Sequence, residues 1–302
     1  MTISSGESTL PVGANPGRPA GSPSLAEALR SGRLVRAAGA HSALTASLVE
    51  QAGMDAVWAS SFEISAARCL PDASLLTMTE YLTVAAEMQK CCSIPVVADV
   101  DTGFGGTMNV AHMVREYESR GITAVCMEDK LFPKMNSFVA APHCLLPTEE
   151  FCRKLEVAKA VQREKDFHLI ARTEALISGQ PVTEALERCR RYADAGADSV
   201  LVHSKDRTNR QVLEFLAGWD ERVPVVIVPT TYPDWHADDA RRAGISMVIY
   251  ANHGLRAMIR STLDVLRTIR EEGSTVPVED EIASINDVFR LQHLDQWRKV
   301  SE

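Results

Sequence analysis

Three carboxylates fall at the ends of two short apolar runs. Ile94-Pro95-Val96-Val97-Ala98 leads into Asp99-Val100-Asp101-Thr102-Gly103-Phe104-Gly105-Gly106, and Thr123-Ala124-Val125-Cys126-Met127 leads into Glu128-Asp129-Lys130. Buried strands that end in carboxylates suggest a shared cation at one rim, because like charges at close range are costly unless protonated or bridged. Oxygen donors without His or Cys beside them favour Mg2+, with Mn2+ as a substitute, over zinc. Asp99 and Asp101 lie two apart, a spacing that points both to one side of an extended chain. The plainer reading is that they cap the helix and turn that follow.

Further along, Arg172 and His203 also fall at the ends of apolar runs. A guanidinium facing such a site grips a carboxylate or phosphate with forked hydrogen bonds. The bland alternatives are that Arg172 pairs with Glu174 or Glu128, and that His203 is a satisfied core histidine. The stretch from Asp129 to Pro147 lacks apolar periodicity and is longer than most barrel loops, which reads as a lid. On a closed lid, Lys134 and Asn136 reach a bound anion. Trp58-Ala59-Ser60-Ser61-Phe62 brings small residues and backbone N–H groups to the rim, suited to a carboxylate or oxyanion. Asp72, within Leu70-Pro71-Asp72-Ala73-Ser74, reads equally as a helix cap or as a site carboxylate.

The elements that must position these groups alternate regularly. Strands are expected at Leu34–Ala38, Ala56–Ala59, Pro95–Asp99, Ala124–Glu128, His168–Arg172, Ser199–Val202, Val225–Val228 and Met247–Tyr250. Helical patterns fall between them, at Ser42–Ala52, Thr77–Lys90, Asn109–Arg120, Thr148–Gln162, Thr183–Ala195, Arg210–Trp219 and Ala237–Ala243. Glycine stops at Gly53, Gly121, Gly196 and Gly244 precede the next strand. Two last helices, Leu255–Glu272 and Glu279–Val300, close the chain. Eight strand-then-helix units predict an α/β fold, a (β/α)8 TIM barrel spanning 24–302 as one domain, over a doubly wound open sheet. Nearly every strand delivers a polar group to the same rim, which is where barrel enzymes build their sites.

Composition narrows the classes. The chain has 302 residues, 45% of them apolar, and a formal net charge of −8. That balance argues against a nucleic-acid or anionic-membrane surface. No apolar run approaches the ~20 residues of a bilayer span. Residues 1–23, rich in Ser, Gly and Pro and without an apolar core, predict a disordered tail and not a signal peptide. Seven unpatterned cysteines fit a reducing cytoplasm.

From about Leu29 to Trp297 the chain resembles the phosphoenolpyruvate mutase and phosphonopyruvate hydrolase branch of the isocitrate lyase superfamily. The resemblance rests on Glu128-Asp129-Lys130 followed by Asn136-Ser137, and on Asp99-x-Asp101-Thr-Gly-x-Gly. His203-Ser204-Lys205, Val228-Pro229-Thr230, Ala251-Asn252-His253 and Asp287-Val288-Phe289-Arg290-Leu291-Gln292 match as well. It implies a barrel whose last helix is exchanged with a partner, in a homotetramer built as a dimer of dimers, and a Mg2+-dependent reaction on a small phosphorus-bearing pyruvyl substrate. By the same resemblance Asp99 is the direct metal ligand, while Asp101 and Glu128 hold metal-bound waters. Trp58, Ser60, Ser61 and Phe62 surround the pyruvyl end. Lys134, Asn136, Arg172 and His203 surround the phosphoryl group, which Asp72 receives or steadies.

The resemblance divides within the family. Phe62-Glu63-Ile64-Ser65-Ala66, Pro71-Asp72-Ala73 and Thr231-Tyr232-Pro233 look closer to the hydrolases, which typically carry Thr where this chain has Asn136. Thr231 replaces the Lys of many mutases. The lyases of the superfamily use Lys-x-Cys-Gly-His on the lid, whereas Lys134-Met135-Asn136-Ser137-Phe138 has no thiol. The expected activity is the mutase interconversion of phosphoenolpyruvate and 3-phosphonopyruvate. Hydrolysis of phosphonopyruvate is the alternative, and an inactive barrel serving as a binding subunit is the reading from another class.

Overall fold

The computed structural model describes residues 24–140 and 142–301. The disordered tail expected at 1–23 lies outside the described residues. Eight parallel strands close into a barrel in sequence order. They are β1 Val35–Ala40, β2 Ala56–Ala59, β3 Val96–Asp99, β4 Ala124–Glu128, β5 His168–Thr173, β6 Ser199–Val202, β7 Val225–Ile227 and β8 Ile245–Tyr250. All eight expected strands form, with ends shifted by no more than two residues.

Period-two alternation divides each strand between two surfaces. Ala37, Trp58, Val97, Cys126, Ile170, Leu201, Val226 and Met247 pack inside the barrel. Val57, Ala98, Val125 and Met127 face outward into the helical layer. A short helix that periodicity does not reveal, α1 Leu25–Arg30, sends Leu25, Ala28 and Leu29 into the same cluster as the barrel interior. A second unforeseen helix, α3 Ser61–Ala66, follows β2 directly. Six residues are too few for a 3.6-residue pattern to declare itself.

The outer layer comprises α2 Ala43–Gln51, α4 Met78–Cys91, α5 Thr107–Ser119, α6 Thr148–Val161, α7 Val182–Asp194, α8 Arg210–Gly218 and α9 Ala237–Arg242. Capping fixes several starts: the Thr77 hydroxyl accepts from the Glu80 amide at α4, and Glu80 bonds back to the Thr77 amide. The chain then runs through α10 His253–Glu272, α11 Ile285–Leu291 and α12 Leu294–Ser301. The single helix expected over Glu279–Val300 is therefore corrected to two shorter ones. His293 adopts φ +53°, a left-handed conformation that breaks the helix between them. α10 buries only Leu255, and neither α11 nor α12 buries any residue. Their apolar side chains, among them Met258, Ile259, Leu263, Phe289 and Trp297, stand exposed.

Candidate active site

Because all strands are parallel, their carboxyl ends meet at one mouth of the barrel. There they enclose a cavity of about 220 Å3 whose lining includes Trp58, Asp72, Asp99, Lys134, Arg172 and His203. The 129–147 segment forms its roof, contributing Lys134, Asn136, Ser137 and Phe138. The neck of this loop is closed by backbone bonds from Leu131 N to Cys144 O and from Leu146 N to Asp129 O. Below the neck Asp129 is fully buried. It accepts from the Tyr192 hydroxyl, the Thr173 hydroxyl and the Glu174 amide, so the loop's root is anchored to β5 and α7.

Asp72 lines the cavity and does not cap α4, whose cap is Thr77. Its two carboxylate oxygens are held from the roof, Oδ1 by Lys134 Nζ at 2.5 Å and Oδ2 by Asn136 Nδ2 at 2.8 Å. Lys134 also lies 3.0 Å from Asp101 Oδ1. These surrounding carboxylates hold its ammonium well above the usual range against the opposing effect of burial.

Neither Asp99 nor Asp101 caps the next helix, whose N-terminal cap is Gly106. The extended-chain argument for their alignment is corrected too. The strand ends at Asp99, and Asp101 sits at φ +50°, so a left-handed turn, not strand alternation, brings the pair together. Asp101 N donates to Asp99 Oδ1 at 3.3 Å, and Glu128 N to Asp101 O at 2.7 Å. Burial pushes both carboxyls up, Asp101 to about 7, with Lys134 opposing the shift.

Arg172 does pair with Glu174, through Nε at 2.7 Å, and also approaches Glu128 Oε2 at 3.4 Å. The bland reading and the functional one hold together, since the same guanidinium still lines the cavity. His203 Nδ1 lies 2.7 Å from Glu174 Oε1 and 2.8 Å from Arg172 Nη2. Burial, then the neighbouring guanidinium, pushes its pKa down, with Glu174 opposing. Its Nε2 is buried without a partner. The 2.7 Å contact to the Glu174 carboxylate calls for a proton on Nδ1, which leaves Nε2 of a neutral ring as an acceptor.

The segment after β2 splits its duties. Trp58, Ser60 and Phe62 line the cavity, whereas Ser61 turns away and donates to Asp99 Oδ2 at 2.8 Å. Ser61 thus orients a carboxylate instead of facing the cavity with its side chain. Residues that the sequence reading named in motifs without assigning them a role also converge here. Lys130 Nζ lies 2.9 Å from Glu174 Oε2 and donates to Ser137 Oγ at 2.7 Å, while Ser137 Oγ donates to the same carboxylate at 2.5 Å. Thr230 and Asn252, from the ends of β7 and β8, complete the wall. Their signal was position alone, at strand carboxyl ends.

The donors present fit a hard cation. Five buried carboxylates (Asp72, Asp99, Asp101, Glu128, Glu174) face three buried cations, Lys130, Lys134 and Arg172. Glu128 Oε1 accepts no hydrogen bond, and Asp101 Oδ1 meets the Lys134 ammonium as an ion pair. Among the described residues no three His, Cys, Asp or Glu side chains converge into a ready-made cage. Of the three carboxylates expected at a cation, Asp99 lines the cavity, whereas Asp101 and Glu128 stand outside its lining.

Comparison with known proteins agrees with this geometry. A family profile described as phosphoenolpyruvate phosphomutase matches residues 25–270. The chain is 41% identical over 278 residues to a phosphonopyruvate hydrolase of Variovorax sp. (strain Pal2), covering 91% of this chain and 96% of that one. It superposes on the crystal structure of a phosphoenolpyruvate phosphomutase from Streptomyces platensis subsp. rosaceus with TM-score 0.88 and 50% identity, covering 91% and 97%. A phosphonopyruvate hydrolase in complex with oxalate and Mg2+ matches at TM-score 0.86 and 40% identity, covering 91% and 96%.

Proposed function

The chain belongs to the phosphoenolpyruvate phosphomutase family, and from that premise we propose that it interconverts phosphoenolpyruvate and 3-phosphonopyruvate by cation-assisted phosphoryl transfer. The observation that carries this reading is the double hold of Lys134 and Asn136 on Asp72. A roof latched to the residue beside the migrating group keeps water out while that group is in flight.

Asp99, with Asp101 and Glu128 acting through water, would hold Mg2+, which would supply charge neutralisation for the phosphoryl oxygens and the enolate. This chain's own residues do the rest. Trp58, Ser60 and Phe62 hold the pyruvyl end, and the Arg172 guanidinium grips the phosphoryl oxygens with His203 beside it in the wall. Breaking the bond between phosphorus and C3 leaves its electron pair on pyruvate as the enolate. Asp72 receives or steadies the phosphoryl group until the enolate oxygen forms the new P–O bond. A loose phosphoryl transition state needs this kind of in-line holding and charge stabilisation more than it needs a base.

Hydrolysis is the second reading, favoured by the 41% relative and by Phe62 in the cavity wall. Thr231, the other hydrolase-like position, lies outside the cavity lining and bonds the Ser204 carbonyl at 3.5 Å. Phosphorus NMR of phosphonopyruvate incubated with the protein and Mg2+ decides. Phosphoenolpyruvate as the dominant product supports the mutase; inorganic phosphate and pyruvate overturn it.

The exposed apolar faces of α10 to α12 support a partner-exchanged final helix and a homotetramer. Light scattering on the full chain, and on a version ending at Gly273, tests that arrangement. No described helix is long and apolar enough to cross a membrane, and we place the protein in the cytoplasm.

A further inference from the structure

α6 carries an ammonium on its buried face. Lys154 is 7% exposed, and its Nζ donates to the carbonyl oxygen of Thr102 at 2.8 Å. No ion pair reaches it among the described residues. Burial pushes its pKa down, and Glu150, one turn earlier on α6, opposes only weakly. Taking an ammonium out of water to meet a neutral carbonyl is unfavourable, and an apolar side chain of similar length would fill the space without that cost. What the charge holds therefore matters.

It holds the turn after β3. Asp101, Gly103, Phe104 and Gly105 all have positive φ, from +50° to +142°. Left-handed backbone is disfavoured for Asp and Phe, so this turn keeps its shape only under restraint from its surroundings. On the barrel side, Val100 N bonds Cys126 O and Glu128 N bonds Asp101 O. On the helix side the restraint is Lys154. Thr102, between the two sets, is fully buried, and its hydroxyl has no partner.

We propose that Lys154 is a positioning residue for the cation site: by holding the Thr102 carbonyl it fixes the turn that aims Asp99 and Asp101 into the cavity. This rests on reading those two aspartates as the cation-holding groups. Lys154 touches neither the cavity nor the reacting atoms, so its influence passes through the backbone alone.

Two measurements on the metal-free protein test it, hydrogen exchange over residues 100–106 and Mg2+ binding by titration calorimetry. Lys154→Met should exchange at least about 10-fold faster in that segment. It should bind Mg2+ about 5- to 20-fold more weakly, within the range by which outer-shell losses weaken metal sites. Its kcat at saturating Mg2+ should stay within about twofold of the unmutated value. Lys159→Met, on the same helix as Lys154, removes the ion pair with Asp198 before β6 and should change neither measurement. If the Met variant does not fold, Lys154→Gln replaces it; its amide ends one atom short of Thr102, so the same losses are expected. Unchanged Mg2+ affinity in whichever variant folds, or equal losses in the Lys159 variant, overturns the proposal. Absence of Mg2+ binding by the unmutated protein is a different failure, because it removes the cation reading itself and the proposal with it.

Discussion

Asn136 reaches Asp72 twice: its backbone N–H donates to the Asp72 carbonyl at 3.0 Å, and its Nδ2 to the carboxylate at 2.8 Å. Sixty-four residues separate the two in the chain. The roof loop and the segment after α3 are thereby joined as one cover over the cavity. With Lys134 on the other oxygen, Asp72 has no carboxylate atom without a donor from the roof.

Weakening that cover should change the fate of the phosphoryl group. Asn136→Ala or Asn136→Thr is expected to slow formation of phosphoenolpyruvate from phosphonopyruvate and to raise the share released as inorganic phosphate. Phosphorus NMR reads both products in one spectrum. An unchanged product ratio in both variants would mean that Asn136 does not govern access of water.

The carboxylates should separate by role. Asp99→Ala is expected to abolish turnover, because it removes the carboxylate proposed as the direct ligand. Asp101→Ala and Glu128→Ala should instead raise the Mg2+ concentration for half-activity by about 10- to 100-fold. Activity measured against Mg2+ checks this, and full activity of Asp99→Ala, or of the protein in excess chelator, contradicts the assignment.

The roof should open in the free protein. Phe132 and Phe138 are exposed on it, so chymotrypsin is expected to cut between residues 129 and 147. Mg2+ with oxalate should slow that cleavage severalfold by holding the roof down. Equal rates with and without them would count against closure over the site.

The opposite end of the barrel carries a stability switch. His168, at the start of β5, is buried with Nε2 at 2.7 Å from Ser199 Oγ, and burial lowers its pKa to about 4. A histidine with a depressed folded pKa is protonated first in the unfolded chain. Its neutral form therefore contributes stability above about pH 6.5, and this is lost as pH falls toward 4. At pH 5 the loss amounts to roughly 2 kcal/mol. His168→Asn, which cannot titrate, should lose less stability than the parent between pH 7 and pH 5 in urea unfolding. Equal losses in the two proteins would show that the histidine is not the source.

Much of the barrel was legible in the sequence because β/α alternation and glycine stops are local signals. β2 to β7 are buried on both faces, so their apolar runs stand out without knowledge of their neighbours. The polar residues at the strands' carboxyl ends were legible for the same reason: a charge that interrupts a core strand needs a purpose. Asp99, Asp101, Glu128, Arg172 and His203 all come together at one mouth. Local pattern failed where the structure depends on distant partners or on single backbone angles. Two short helices, α1 and α3, are too brief for periodicity, and one left-handed residue, His293, divides the final helix. The left-handed turn at Asp101, the rotation of Ser61 toward Asp99 and the link of Lys130 through Ser137 to Glu174 have no sequence signature. Asp72 stood undecided between cap and site until Lys134 and Asn136 were found against it. The sequence by itself determined which residue types sit at the mouth of the barrel. Only the tertiary structure decided which face the cavity and which stand behind it, because that depends on contacts between residues 30 to 64 positions apart, made by closing the barrel and laying the roof across it.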